Sequence, residues 1–234
     1  MGVSGAYEFS PGRGAAAHAA AELVEPGMTV GLGSGRAVWA VIEAIGARWP
    51  GKPPISLVVA SEATYAIAQA AGIDVVQLDG RAELDLAVDG ADEVDPELRL
   101  LKGGGGALLR EKIVASAASR FVVVAEAEKS VERLGTSFRL PVEIVRFGWR
   151  DTRRRLAALL PDARQRSVGD EPYQTDEGHY ILDCALGPDA DPDALDAQIN
   201  LIPGVVEHGL FIGMAERVLL GRQDGGVDVL GAGG

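Results

Sequence analysis

The 234-residue chain is 47% hydrophobic and 24% charged, near the globular average, which excludes a disordered, collagen-like or coiled-coil chain and leaves one large domain or two modest ones. Its 34 acidic against 22 basic residues give a formal charge of −12, excluding broad nucleic-acid binding, which needs a dense Lys and Arg surface. No apolar run is long enough for a membrane span and residues 1–14 lack a signal-peptide pattern, so the expected location is the cytoplasm.

In chain order, the first half predicts an Ala-rich helix at 14–23, a strand at 28–32, a helix at 37–47, a strand at 56–60 and a helix at 63–71. Strands follow at 75–78 and 84–88, then a glycine turn at 102–106 feeding a helix over 107–119, then a strand at 121–125. Such alternation builds a doubly wound, mainly parallel sheet of the Rossmann-like α/β kind. After residue 140 the order becomes strand 142–145, helix 149–160, strands 164–168 and 179–186, helix 192–201 and strand 205–211. That is the β-α-β-β-α-β order of a small ferredoxin-like α+β domain. The tail 217–230 reads as two strands joined by the hairpin signal Asp224-Gly225-Gly226, returning to the first domain. The expected domains are therefore 1–134 plus 212–234, and 135–211.

Cys184 has no partner for an intramolecular disulfide or a cysteine zinc site, and is expected as a small buried hydrophobe in its strand. His18, His179 and His208 are scattered, and no metal site is expected. The run Arg153-Arg154-Arg155 lies in a helical segment and reads as a solvated face.

Three segments have the residue types of a reactive site. VGLGSGRAVWA at 30–40 joins a strand to a helix, where exposed N–H groups suit an anion, although a plain tight connection has the same pattern. It lacks the Lys-Ser/Thr of a P-loop, and the third glycine of a dinucleotide fingerprint falls on Val38. Arg36, a cation at a helix N-terminus, favours an anion nearby. LAVDGADEVD at 86–95 puts Asp89 directly after a buried strand with Asp92 close behind, at the sheet end where ligands of open α/β sheets bind; an acidic surface turn is one alternative and a calcium loop another, although the latter's D-x-D-x-D-G spacing is absent. LLKGGGGALLREKIVA at 100–115 has four successive glycines whose N–H groups make an anion nest, with Lys102 before it and Glu111 one turn into the next helix. Glu111 has Arg110 and Lys112 as alternative partners.

Carboxylates, a lysine and N–H-rich turns suit proton transfer beside a sugar carbonyl, in which a base removes a carbon-bound proton and fixed donors stabilise an enediolate. A non-catalytic sugar-phosphate sensor and a dinucleotide or S-adenosylmethionine enzyme are the competing classes. The first has no need of a positioned base, and the second rests only on the first glycine turn and on Glu62 after strand 56–60.

Several strings, in order, are similar to those of type A ribose-5-phosphate isomerases: SEAT at 61–64, VDGADEVD at 88–95, KGGGGALLREKIVA at 102–115, FVVVAEAEKSVERLG at 121–135, LPVEIV at 140–145 and IPGVVEHGLF at 202–211. The resemblance covers nearly the whole chain. It implies metal-free interconversion of ribose 5-phosphate and ribulose 5-phosphate in the pentose phosphate pathway, without a cofactor, by a homo-oligomer that is commonly a dimer. It implies that Glu111 is the general base, that Asp89 and Asp92 assist ring opening and oxygen protonation, and that Lys102 stands beside the enediolate. Substrate contacts are implied at Ser34, Gly35, Arg36, Ala37, Gly90, Ala91, Gly103, Gly104, Gly105 and Lys129. A base acting near neutrality calls for partial burial that raises the pKa of Glu111. The chain departs from the family at the first turn, where Ser-Thr is usual and Arg36 and Ala37 stand, with Ser34 in place of Thr. Two hydroxyl donors are replaced there by one cation, available for direct phosphate contact or for another sugar phosphate.

Overall fold

The structure is a computed structural model that describes residues 9–49, 51–80 and 83–231. Residues 1–8, part of the stretch read for a signal peptide, lie outside the described residues.

Helix α1 (Pro11–Ala21) starts where the Ser10 hydroxyl accepts the Arg13 N–H and Pro11 takes the first helical position. It is followed by β1 (Thr29–Leu32), α2 (Arg36–Arg48), β2 (Ser56–Val59), α3 (Glu62–Ala70), β3 (Asp74–Val75) and β4 (Leu86–Gly90). Next come β5 (Glu93–Val94), β6 (Leu100–Leu101), α4 (Leu108–Ser116), β7 (Phe121–Glu126) and a 3-10 turn, Ala127–Lys129. Then follow β8 (Leu140–Ile144), α5 (Trp149–Leu156), β9 (Arg164–Gln165), β10 (Ser167–Val168), β11 (Glu171–Pro172) and β12 (Tyr180–Cys184). The chain ends with α6 (Pro192–Ile199), β13 (Val205–His208), β14 (Leu210–Phe211), β15 (Arg217–Gly221) and β16 (Val227–Gly231).

The chain divides into two compact units. The first is residues 1–91, 110–130 and 214–234, and the second is 92–109 and 131–213. In the first, seven strands run in the order β16-β15-β7-β4-β1-β2-β3. Neighbouring pairs are parallel from β15 to β3, and only the hairpin strand β16 is antiparallel. The order reverses at β1, which pairs with β2 on one side and with β4 on the other. β1, β4 and β7 are buried almost throughout, as strands covered on both faces must be. Val30, Leu32, Leu57, Leu86, Val88, Val122 and Val124 pack with Ala16, Ala20, Val41 and Ile45 of the helices in one core. This is the expected doubly wound α/β domain.

The second unit is built on an antiparallel sheet in the order β13-β8-β12-β9, threaded β-α-β-β-α-β with α5 and α6. Val142, Ile144, Leu156, Leu160, Leu182, Cys184, Leu195 and Ile199 form its core. This is the expected ferredoxin-like arrangement.

Three local expectations change. The strand expected at 205–211 breaks at Gly209: β13 stays in the four-stranded sheet, and β14 joins a three-stranded one, β14-β6-β5. A side chain at 209 would overlap the Lys102 carbonyl, and the Gly209 C=O accepts the Lys102 N–H at 2.8 Å, so the chain switches sheets at a glycine. The strand expected at 164–168 ends as β9, and β10 instead forms a hairpin with β11. Residues 92–109, assigned above to the first domain, cluster with the second, where β6 pairs with β14 on one side and with β5 on the other.

Gly31 of β1 lies against Val114 of α4: a Cβ there would lie 2.6 Å from Val114 Cγ1 and 3.2 Å from Leu84 Cδ1. Gly31→Ala should lower the unfolding free energy by about 1–3 kcal/mol through overpacking, measured by urea denaturation.

Candidate active site

Asp89 lies near the carboxyl end of β4, beside β1, where the strand order reverses and open α/β sheets place their ligands. It is 2% exposed. Its Oδ1 accepts the Gly90 N–H at 2.7 Å and the Ser34 N–H at 3.3 Å. A side chain at position 33 would overlap this carboxylate, so only glycine lets the first turn close over Asp89.

The turn itself is tied to α3. The buried Thr64 hydroxyl donates to the Gly33 carbonyl at 3.0 Å. Ser61 caps α3 by accepting the Thr64 N–H at 3.1 Å, and its hydroxyl lies 2.9 Å from that of Ser34. Gly35, with φ 89°, caps α2 without a side chain, and exposed Arg36 opens that helix. Ala37 is close behind: a Cβ at Gly90 would meet its methyl at 3.3 Å.

Glu111 is in the first turn of α4 and is 6% exposed. Val114 and Ala115, three and four residues on, are buried as well, so Glu111 shares the packed face of its helix. Arg110, a possible partner in the sequence, pairs with Glu62 at 3.3 Å. Lys129 closes the 3-10 turn directly after β7, the parallel neighbour of β4, and is half-buried.

Asp92, Lys102, Gly103, Gly104 and Gly105 belong to the second unit. Asp92 Oδ2 accepts the Gly104 N–H at 2.7 Å, and a Cβ on Gly104 would lie 2.9 Å from both carboxylate oxygens. Lys102 is 3% exposed, with Nζ 5.2 Å from the ring centroid of Phe211. The turn differs from the expected open nest, since three of its N–H groups are taken within the unit: Lys102 by Gly209, Gly104 by Asp92 and Gly106 by Gly103. Its carbonyls are held too. Arg166 donates to Gly103 and Gly104, and the Tyr173 hydroxyl donates to Gly105 at 3.2 Å. Burial pushes the Tyr173 phenol up, which keeps the proton it donates.

The two remaining acids of the 86–95 segment serve structure. Buried Glu93 accepts the N–H groups of Gly135, Ser137 and Phe138, and buried Asp95 pairs with Arg99 at 2.6 Å. His179 bonds Glu143, His208 is buried beside Asp196, and His18 lies 2.8 Å from the Gly14 carbonyl. Among the described residues, no three His, Cys, Asp or Glu side chains are grouped to hold a metal ion. Cys184 is buried and its thiol is pushed up to about 12, chiefly by desolvation, as for an inert core residue. Arg154 and Arg155 pair with Asp151 on an exposed helix face.

Arg166 and Tyr173 carry no local signal in the sequence; Ser61 and Thr64 lie in the SEAT string, where Ser61 is a residue type of helix N-caps, but their hold on the first turn is not visible there.

A family model for ribose 5-phosphate isomerase A (phosphoriboisomerase A) matches residues 56–225. A ribose-5-phosphate isomerase A of Roseiflexus sp. (strain RS-1) is 50% identical over 217 residues, 92% of this chain and 93% of that one. Among solved structures, the ribose 5-phosphate isomerase A of Methanocaldococcus jannaschii is similar at a TM-score of 0.86 and 34% identity, covering 94% of this chain and 97% of its own. The ribose 5-phosphate isomerase of Plasmodium falciparum is similar at 0.88 and 31%, covering 95% and 98%.

Thr64→Val keeps the shape of a buried residue but leaves the Gly33 carbonyl without its donor. Urea denaturation should show a loss of about 1–3 kcal/mol.

Proposed function

The chain belongs to the ribose 5-phosphate isomerase A family and is an isomerase of ribose 5-phosphate and ribulose 5-phosphate; from that premise we propose a metal-free proton transfer through an enediolate, with Glu111 as base. The observation that carries the mechanism is the burial of the Glu111 carboxyl on the packed face of α4, a setting that suits a base rather than a surface ion pair.

Asp89 and Asp92 assist opening of the sugar ring. The C2 proton of the open aldose passes to Glu111, and the electron pair it leaves forms an enediolate with its charge on O1. Lys102, a nearly fully buried cation, steadies that charge. Return of the proton to C1, with transfer of the O2 proton to O1 by the aspartates, yields the ketose, so atoms and charge balance. Gly103, Gly104 and Gly105 supply backbone contacts. Ser34, Gly35, Arg36, Ala37, Gly90, Ala91 and Lys129 bind the substrate, and Arg36 contacts the phosphate in place of the hydroxyls usual in the family. The exposure of Arg36 at the start of α2, beyond β1, supports that contact. The proposal includes a homodimer acting in the cytoplasm on the pentose phosphate pathway.

Purified protein should interconvert the two pentose phosphates in the presence of chelator, and Glu111→Gln should lower kcat by roughly 10²–10⁴-fold. A Glu111→Gln protein with wild-type turnover would remove Glu111 as the base. Arg36→Ala should raise KM roughly tenfold with kcat little changed, and an unaltered KM would rule out the direct phosphate contact.

A further inference from the structure

We infer that Arg166 is a positioning residue that clamps the glycine turn and, through one peptide plane, sets the Asp92 carboxylate; this rests on the role of Asp92 proposed above. Arg166 follows β9, and its own backbone is fixed on both sides. Its N–H donates to Ile181 at 2.9 Å, and its carbonyl accepts the Tyr173 N–H at 2.9 Å. The side chain is 16% exposed. Nε and Nη2 grip the two oxygens of Asp183 at 3.0 and 2.6 Å. Nη1 reaches the Gly103 carbonyl at 2.9 Å and the Gly104 carbonyl at 3.1 Å.

The Gly103 carbonyl and the Gly104 N–H belong to the same planar peptide unit and point in opposite directions. Arg166 holds one side of that plane, and the other side donates to Asp92 Oδ2 at 2.7 Å. The next peptide is held through the Gly104 carbonyl, and the one after it by Tyr173 through the Gly105 carbonyl. Three successive glycine carbonyls are thus anchored by two side chains. Glycine peptides rotate readily, and Gly103 already has φ 100°, so without the clamp the 103–104 plane is free to turn its N–H away from Asp92. A lysine ammonium cannot reproduce the two-edged geometry by which the planar guanidinium holds Asp183 and both carbonyls at once.

The test compares the full-length wild type with Arg166→Met, Arg166→Lys, Asp92→Asn and the Arg166→Met/Asp92→Asn double variant, measuring kcat and KM for ribose 5-phosphate together with thermal midpoints. Arg166→Met should lower kcat by roughly 10²-fold, the scale of an ångström-level misplacement, with KM within about threefold. Arg166→Lys should not restore it. The double variant should be no slower than Asp92→Asn alone, and guanidinium ion at non-denaturing concentration should recover part of the lost kcat in Arg166→Met but none in Asp92→Asn. If Arg166→Met fails to fold, Asp183→Asn loosens the anchor and should cost roughly tenfold in kcat. A folded Arg166→Met, or in its place a folded Asp183→Asn, with kcat within threefold of wild type overturns the proposal. So do losses that multiply in the double variant, or an absence of guanidinium rescue. An Asp92→Asn protein with wild-type kcat beside a slow Arg166→Met would instead remove the role of Asp92, and with it the route through that carboxylate.

Discussion

A carboxylate seated where a side chain at position 33 would otherwise stand organises the first unit. Asp89 is nearly fully buried, and an anion taken out of water persists only where donors replace its hydration. The donors here are backbone N–H groups of Ser34 and Gly90, so the two chain segments must meet at the ends of β1 and β4. Glycine at 33 permits the approach, Thr64 and Ser61 hold the turn from behind, and Gly35 starts α2 with a positive φ. The arrangement places Arg36, proposed to bind the phosphate, at the start of α2, just after the turn that closes over the Asp89 carboxylate.

The second unit solves a related problem by different means. A run of four glycines has little conformational preference of its own, so its shape must come from outside. Arg166 and Tyr173 take the carbonyls, Asp92 takes an N–H, and Gly209 contributes the close backbone contact that fixes Lys102. The ferredoxin-like sheet thereby acts as more than a spacer: its β9–β12 region supplies the groups that order the turn.

Acidic residues outnumber basic ones, yet neighbouring acids have separate uses. Glu93 and Asp95 are as deeply buried as Asp89, but the first accepts three N–H groups of the 135–138 turn and the second is gripped by Arg99. Within one seven-residue stretch, two carboxylates proposed to act on substrate, Asp89 and Asp92, are followed by two that hold the fold, Glu93 and Asp95.

Alternation of β-branched runs with helical stretches made the parallel sheet legible, because burial on both faces forces continuous apolar strands at 29–32, 86–88 and 121–125. The hairpin at Asp224-Gly225-Gly226 was legible for an equally local reason, its turn chemistry. The strands β5 and β6 were not, since two residues carry no period and β14, the outer partner of β6, lies more than a hundred residues away. The candidate residues Asp89, Asp92, Lys102 and Glu111 could be named from type and spacing alone. By itself, then, the sequence determined the fold class and the chemical inventory, which depend on periodicity and composition within a few residues. Tertiary structure alone decided which acids are used up as hydrogen-bond acceptors and which side chains clamp the glycines, because the donors to Glu93 come from 42 to 45 residues onward and the clamp on Gly103 from 63.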